Sequence, residues 1–264
     1  MYSGRNPTRT LRWLLFLFLV PAFEAQPNDV WPRPQLVPIP AHTRGVANHV
    51  LSLNGTWKFS PSPPKDFWLN SADPSSWADI TVPGEPVMQG FNIARNTEYP
   101  YKRSVLIPSD FEGKRVILRF DGVYSYARVW ANGKFVRDHH GGFTSWDCDV
   151  TEYVTAGRPA WITVGMTDMS DEISYGSNYA KHFIGGILRD VRLVALPRNP
   201  ITRFHVETDL DTSYTHARLR VTAATHFHDA KAASVNLRLK DPQGNLVCLK
   251  PSSMTLTAGA PEAS

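Results

Sequence analysis

Apolar residues in this chain recur at every second position in short runs, and the runs are bounded by Gly, Pro, Asn and Asp. A period of two lines one face of a pleated strand, so the pattern predicts strands rather than helices. In LSLNGTWKFS a strand is expected over 56–59, entered through a tight turn at Asn54-Gly55, with Trp57 and Phe59 on one face as core residues. Further strands are expected at 79–82, 101–107, 115–120, 127–131, 134–138, 161–167 and 187–196. Asn132-Gly133 predicts a two-residue hairpin, because both residues tolerate the positive φ of a type I′ turn. Asp121-Gly122 is a turn signal within a longer connection that carries Tyr124 and Tyr126. Without long helical segments between them, such strands build a sandwich or jelly roll rather than a βαβ sheet, and the fold class is all-β.

The pattern restarts after 197–200, where Pro197 and Pro200 mark a linker. Strands are expected at 201–208, 217–223 and 233–240, and Asp241-Pro242-Gln243-Gly244 turns the chain into 246–249. The 264 residues thus carry two folded units, in keeping with a usual domain size of about 100–150 residues. Composition agrees: 42% hydrophobic and 20% charged residues suit a globular chain, and 21 Pro, 17 Gly and 8 Trp suit short strands joined by turns.

The N-terminus reads as a secretory signal over 1–25. Arg5, Arg9 and Arg12 precede an unbroken apolar run over 13–20, and 22–25 offers a cleavage zone in which Phe23 departs from the small-residue pattern. That run is shorter than the about 20 residues that span a bilayer. Export to a secreted or periplasmic location is therefore expected, with no membrane association once the signal is removed. Residues 26–47 follow as a Pro-rich extended lead-in.

Removing the leader takes three arginines and Glu24 from the formal charge of +4 and leaves +2. The remaining Lys and Arg are interleaved with acids, so no basic face argues for a nucleic-acid partner. Cys148 and Cys248 lie in different units and are expected as free, buried thiols; neither has the spacing of a zinc site. Adjacent His139 and His140 point to opposite faces of a strand, which disfavours a shared metal, and they read as a polar strand end. No cofactor or metal is expected. Asp149 is expected to cap a short turn starting near Thr151.

The segment PGEPVMQGF halts regular structure after 79–82 and displays Glu85, Gln89 and Asn92 on a loop. Loops braced by rigid strands are where binding groups are commonly presented, although this one also serves as a crossover between strands. The chain's acids include Glu85, Asp147, Asp149, Glu152, Asp168, Asp171 and Glu172. Glycoside hydrolysis needs two carboxyl groups about 5–5.5 Å apart for retention or about 6.5–9.5 Å for inversion, and turn and strand-end contexts do not predict such a pair.

Six ordered segments carry a family resemblance: LNGTWKF, WADITVPGEP, YPYKRSVLIP, GKRVILRFDGV, WANGKFVRDHHGGFTSWDCDVTEYV and GGILRDVRLVAL. As a set they resemble the N-terminal sugar-binding domain of glycoside hydrolase family 2, which includes β-galactosidases, β-glucuronidases and β-mannosidases. The resemblance implies a galactose-binding-like jelly-roll sandwich over 48–197, followed by a partial immunoglobulin-like sandwich over 200–264. A full sandwich of the second kind takes about 100 residues, so unpaired edges and a half-covered apolar face are expected there, which favour association or poor folding. In that family the catalytic carboxylates lie on a later TIM barrel, a partner that residues 1–264 lack.

The function implied is the non-catalytic front of a secreted glycosidase acting on β-glycosides; the alternative is a free-standing carbohydrate-binding module. In either case carbohydrate is the ligand, and Trp68, Glu85, Gln89, Asn92, Tyr99 and Trp146 are the candidate contacts, with the loop 174–182 nearby. In β-galactosidases of the family an acid just before the Gly-containing strand helps to bind sugar. Here that region reads Tyr179-Ala180-Lys181-His182, and no such role is carried over.

Overall fold

The computed structural model describes residues 36–94, 96–168, 184–258 and 262–263. The leader over 1–25 and the loop 174–182 lie outside them. Twelve strands make up the first part: β1 Val50–Ser52, β2 Gly55–Phe59, β3 Ala78–Val82, β4 Tyr99–Leu106, β5 Arg115–Phe120, β6 Val123–Tyr124, β7 Tyr126–Ala131, β8 Lys134–His140, β9 Trp146–Asp149, β10 Pro159–Thr167, β11 Gly186–Ile187 and β12 Val191–Leu196. They form a four-stranded sheet in the order β1-β12-β5-β9 and a six-stranded sheet in the order β3-β2-β4-β10-β7-β8, with a short β11-β6 pair between the chain segments that link them. Every named pairing is antiparallel.

Alternation decides what enters the core. On β10, Ile162, Val164 and Met166 are fully buried, and the register sets Val164 beside Tyr101 on one side and Val129 on the other. Trp57, Phe59, Leu118, Phe120, Leu193 and Ala195 join them between the two sheets. Asn132 and Gly133 take φ of 50° and 79°, the positive values their hairpin requires. Asn132 also ties two turns together, donating from Nδ2 to Tyr153 O at 2.7 Å and accepting from Trp161 N at 2.9 Å. The run expected at 187–196 is split at Leu188–Asp190, because Leu188 N and Arg189 N both bond to Gly122 O.

The described end of the lead-in, residues 36–47, is part of the fold rather than a free approach to it. Val37 and Ile39 pack on Ile117, Val194 and Leu196, the outer face of the four-stranded sheet. Asp147 accepts Val37 N at 2.9 Å, and Arg119 bridges the two, reaching both Asp147 oxygens at 2.6 and 2.7 Å and Val37 O at 2.6 Å. Asp149 Oδ1 accepts Thr151 N at 3.1 Å at the head of the short turn Thr151–Tyr153, as expected for a capping acid.

Two expectations need correction. His139 is not a polar strand end but a core residue, 1% exposed and stacked on Trp146. Cys148 is buried, whereas Cys248 is exposed, directly after the exposed pair Leu246–Val247.

The second part has β13 Ile201–Leu210, β14 Ala217–Thr225, β15 Ala232–Asn236, β16 Leu239–Lys240, β17 Leu246–Val247, β18 Ser253–Thr257 and β19 Glu262–Ala263. They pair as β13-β14-β19, β15-β18 and β16-β17. Val221, Ala223 and Leu256 are buried, but no residue of β13 is.

Outside the six-stranded sheet, the loop 60–77 is held by a buried cation. Lys102 faces away from the core on β4, yet it is fully buried, and its Nζ donates to Phe67 O at 3.2 Å, Leu69 O at 2.7 Å and Ala72 O at 2.8 Å. Trp77 and Trp161 lie 6.0 and 5.5 Å from that ammonium, close enough for their ring faces to stabilise it. Burial lowers the Lys102 pKa, and Asp73 opposes that shift. Lys102→Met keeps the stem but strands three carbonyls, and should cost about 2–4 kcal/mol in urea unfolding. A loss below about 0.5 kcal/mol, the level of a neutral surface change, would show that Phe67 and Trp77 hold the loop by packing alone.

Candidate functional site

The chain leaves β3 at Val82 and is caught at once by β11, where Gly84 N donates to Ile187 O at 2.8 Å. A short turn, Val87–Gln89, follows. Gln89 then folds back on β3: its Oε1 accepts Thr81 N at 2.8 Å and its Nε2 donates to Thr81 O at 2.9 Å. β3 is an edge strand, and the Gln89 amide supplies the partner that a neighbouring strand would have given. Gln89 is therefore committed to bracing the loop. Asn92 is exposed on the same loop, between Phe91 and Ile93, which pack on the core.

This bracing fixes Glu85, which is half-buried, near Tyr99 at the start of β4. Burial first, then the charges of Asp168 and Glu85, drive the Tyr99 pKa upward and favour the protonated phenol. Asp168 follows β10 directly and is 4% exposed. The register sets Met166 opposite Tyr99, which brings the end of β10 to the start of β4. Gly185 and Gly186 close the floor. A Cβ on Gly185 would sit 2.8 Å from Tyr99 Oη, and one on Gly186 would sit 2.8 Å from Tyr101 Oη and Pro86 Cδ. Gly186 also holds φ of +105°, a value that side chains resist. Only glycine lets both hydroxyls approach the backbone there.

Of the six candidate contacts, the structure brings Glu85 and Tyr99 together and adds Asp168, which the sequence marked only as an acid at a strand end. Trp68 is elsewhere, on the outer face of the six-stranded sheet, stacked on Trp130 at 5.5 Å and 13°. Trp146 is corrected outright: it is 0% exposed, between Phe120 at 4.6 Å and His139 at 4.5 Å, so neither face is open to a sugar ring. The Tyr99 ring is likewise enclosed by Phe59 and Tyr101, so its contribution is a hydroxyl and not a stacking surface. Asp171, Glu172 and the stretch Tyr179-Ala180-Lys181-His182 lie outside the described residues.

A cleft of about 520 Å³ lies away from this cluster, lined by Lys114, Arg115, Glu152, Arg198, His226 and His228. Its main charges are already matched, Arg115 with Asp149 at 2.5 Å and Arg198 with Asp229 at 3.2 Å. A polar cluster on the sheet's outer face is similarly self-contained: Arg128 binds Glu98 in a two-pronged pair, and Tyr126 Oη donates to Asp138 at 3.1 Å.

Comparison with known proteins now bears on the cluster. The model of the family "Glycosyl hydrolases family 2, sugar binding domain" matches residues 50–197. The chain belongs to glycosyl hydrolase family 2. Among curated relatives, the β-galactosidase of Vibrio cholerae is 31% identical over 231 residues, covering 76% of this chain and 22% of that enzyme. The β-galactosidase of Photobacterium profundum is 29% identical over 236 residues, 80% of this chain and 22% of the enzyme. The chain thus spans about a fifth of the length of these relatives. Among solved structures, a Bacteroides uniformis β-glucuronidase superposes with a TM-score of 0.67 at 24% identity, covering 79% of this chain and 26% of that one, which supports the all-β sandwich.

The family 2 sandwich here encloses one titratable group whose pH response is readable. Neither ring nitrogen of His139 has a hydrogen-bond partner, and burial lowers its pKa to about 4, with Arg137 and His140 adding to the shift and Asp138 opposing it. An unfolded histidine titrates near about 6.5, so between those values the unfolded chain binds more protons and stability falls as pH falls. The melting temperature should drop between pH 7 and pH 4.5, and His139→Phe should remove part of that slope. An unchanged slope in the variant would assign the acid sensitivity to carboxylates instead.

Proposed function

We propose that this chain is the non-catalytic, sugar-binding front of an exported family 2 glycoside hydrolase. The whole enzyme would hydrolyse O-glycosidic bonds of β-galactosides or related β-glycosides, with the catalytic carboxylates supplied by a TIM barrel that these residues do not include. The observation that carries the reading is that the Tyr99 hydroxyl and Asp168 both border Gly185 at one end of the family 2 sandwich, with the Glu85 charge near enough to act on Tyr99. Asp168 and Tyr99 at strand ends and Glu85 on a braced loop can accept from and donate to sugar hydroxyls. A jelly-roll sugar-binding role fits the β-galactosidases and β-glucuronidases to which the chain is similar.

The full chain should release no nitrophenol from aryl β-galactosides or β-glucuronides above the uncatalysed rate. Its affinity for the corresponding sugars should be weaker than about 1 mM, or about 4 kcal/mol, because the barrel of the whole enzyme would complete the pocket. Residual binding should be lost in Glu85→Gln. Measured turnover would overturn the reading, and micromolar binding would make the chain a free-standing carbohydrate-binding module.

Export rests on the charged start and apolar run of residues 1–25. Expressed with an intact secretory pathway, the product should appear outside the cytoplasm with Gln26 as its first residue by N-terminal sequencing. A cytoplasmic product retaining Met1 would remove export from the proposal.

A further inference from the structure

We infer that His139 is an acid-sensitive latch for the loop 141–145: its uncharged ring holds the loop shut, and a proton on the ring drives it toward water and the loop open. His139 is the last inward residue of β8, and its ring stacks on Trp146 at 4.5 Å and 17°. Neither ring nitrogen has a hydrogen-bond partner among the described residues. A neutral ring packs there as an aromatic, but an imidazolium carries a charge and two N–H donors, which are far more costly to bury unpaired.

The groups packed around the ring do not offset that charge. On β8, Arg137 and His140 oppose a proton on His139; Asp138 favours one, yet it accepts from Tyr126 on the outer face. β9 brings Trp146, the buried thiol of Cys148, and Asp147, whose carboxylate is taken by Arg119 and Val37 N. β7 sets Ala127 opposite His139, with Tyr126 and Arg128 on either side of it along the strand. An indole face can stabilise a cation, but Arg137 already stands 5.6 Å from the Trp146 ring, so a second cation there meets the first.

Two glycines form the hinge. Gly141 holds φ of +134°, and a Cβ on Gly142 would fall 2.3 Å from Tyr124 Cδ2. Gly141 N donates to Ser125 O at 2.9 Å, Arg189 Nη1 donates to Phe143 O at 3.2 Å, and the half-exposed Phe143 ring leans on Tyr124 at 5.5 Å. A Cβ built on Gly141 would lie 3.2 Å from His139 Nε2 and 3.7 Å from Oγ1 of the exposed Thr144, so the route of the ring to water runs through the loop. β6 pairs Tyr124 with Gly186, the floor of the candidate site, and an open loop loosens the backing of that floor. This consequence rests on the sugar-binding reading, whereas the opening itself is measured without sugar.

Above about pH 6.5 the ring is neutral whether the loop is open or shut, and the shut form keeps its full advantage. As pH falls toward about 4, the open form takes up a proton that the shut form resists, and the advantage is lost. Amide exchange of the full chain, read by NMR, tests this. The Gly141 amide should be less protected than that of Val164 on β10, and its protection should fall about twentyfold from about pH 7 to about pH 5 after correction for the intrinsic rate. His139→Phe keeps the stack on Trp146 and should abolish the fall, with thermal unfolding to confirm that the variant folds. Should it not fold, the wild-type chain decides alone. Equal protection of Gly141 at the two pH values would overturn the proposal. So would protection equal to that of Val164, which would mean that only global unfolding exposes the loop, or a fall that survives in a folded His139→Phe.

Discussion

The alternation of side chains along β10 is the constraint on which the rest of this molecule depends. With Ile162, Val164 and Met166 all turned inward and fully buried, the strand has no freedom to slip. A shift by one residue would carry the whole set to the outer face. Both neighbours inherit the register: Tyr99 and Tyr101 of β4 on one side, Ala127 and Val129 of β7 on the other. The same alternation that drives apolar groups inward sends Lys102 outward, and the molecule then covers it with the loop 60–77 instead of leaving it in water. A buried ammonium is expensive, and three carbonyls with two indole faces are what make it tolerable.

The candidate site is a by-product of that register. Asp168 sits where β10 runs out, Tyr99 where β4 begins, and the two meet because Met166 and Tyr99 are paired. Glu85 arrives from a different direction, on a loop clamped at one end by Ile187 and at the other by the Gln89 amide acting as a substitute strand. Function at a strand end asks for both features, a rigid edge and a loop that cannot swing away. Burial raises the Tyr99 pKa and keeps its proton in place beside the charges of Asp168 and Glu85.

Most strands were legible because their signals are local. Period-two burial, the Asn132-Gly133 turn and the Asp149 cap are all written within a few residues of where they act. What could not be read is whatever depends on partners distant in sequence. Trp146 looks like a displayed aromatic until β5 and β8 close on it with Phe120 and His139. Tyr99 looks like a stacking residue until Phe59 and Tyr101 enclose its ring. Residues 36–40 look like a tether because Pro forbids ladder bonds, yet Val37 is fixed by Asp147 and Arg119, more than eighty residues along the chain. Gln89 was correctly placed on the loop, but its amide was spent on Thr81, a bond that composition does not announce.

The second part obeys the same alternation with the opposite outcome. On β13 the apolar positions are as regular as those on β10, and none is buried. Regular alternation specifies a face, but only a covering layer turns that face into stability, at about 25 cal/mol per Å² of apolar surface removed from water. Where β14 is covered, Val221 and Ala223 are buried; where β13 runs beyond that cover, Phe204, Val206 and Leu210 are left in solvent. The difference between the two halves of this chain therefore lies in what stands opposite each strand rather than in the strands themselves.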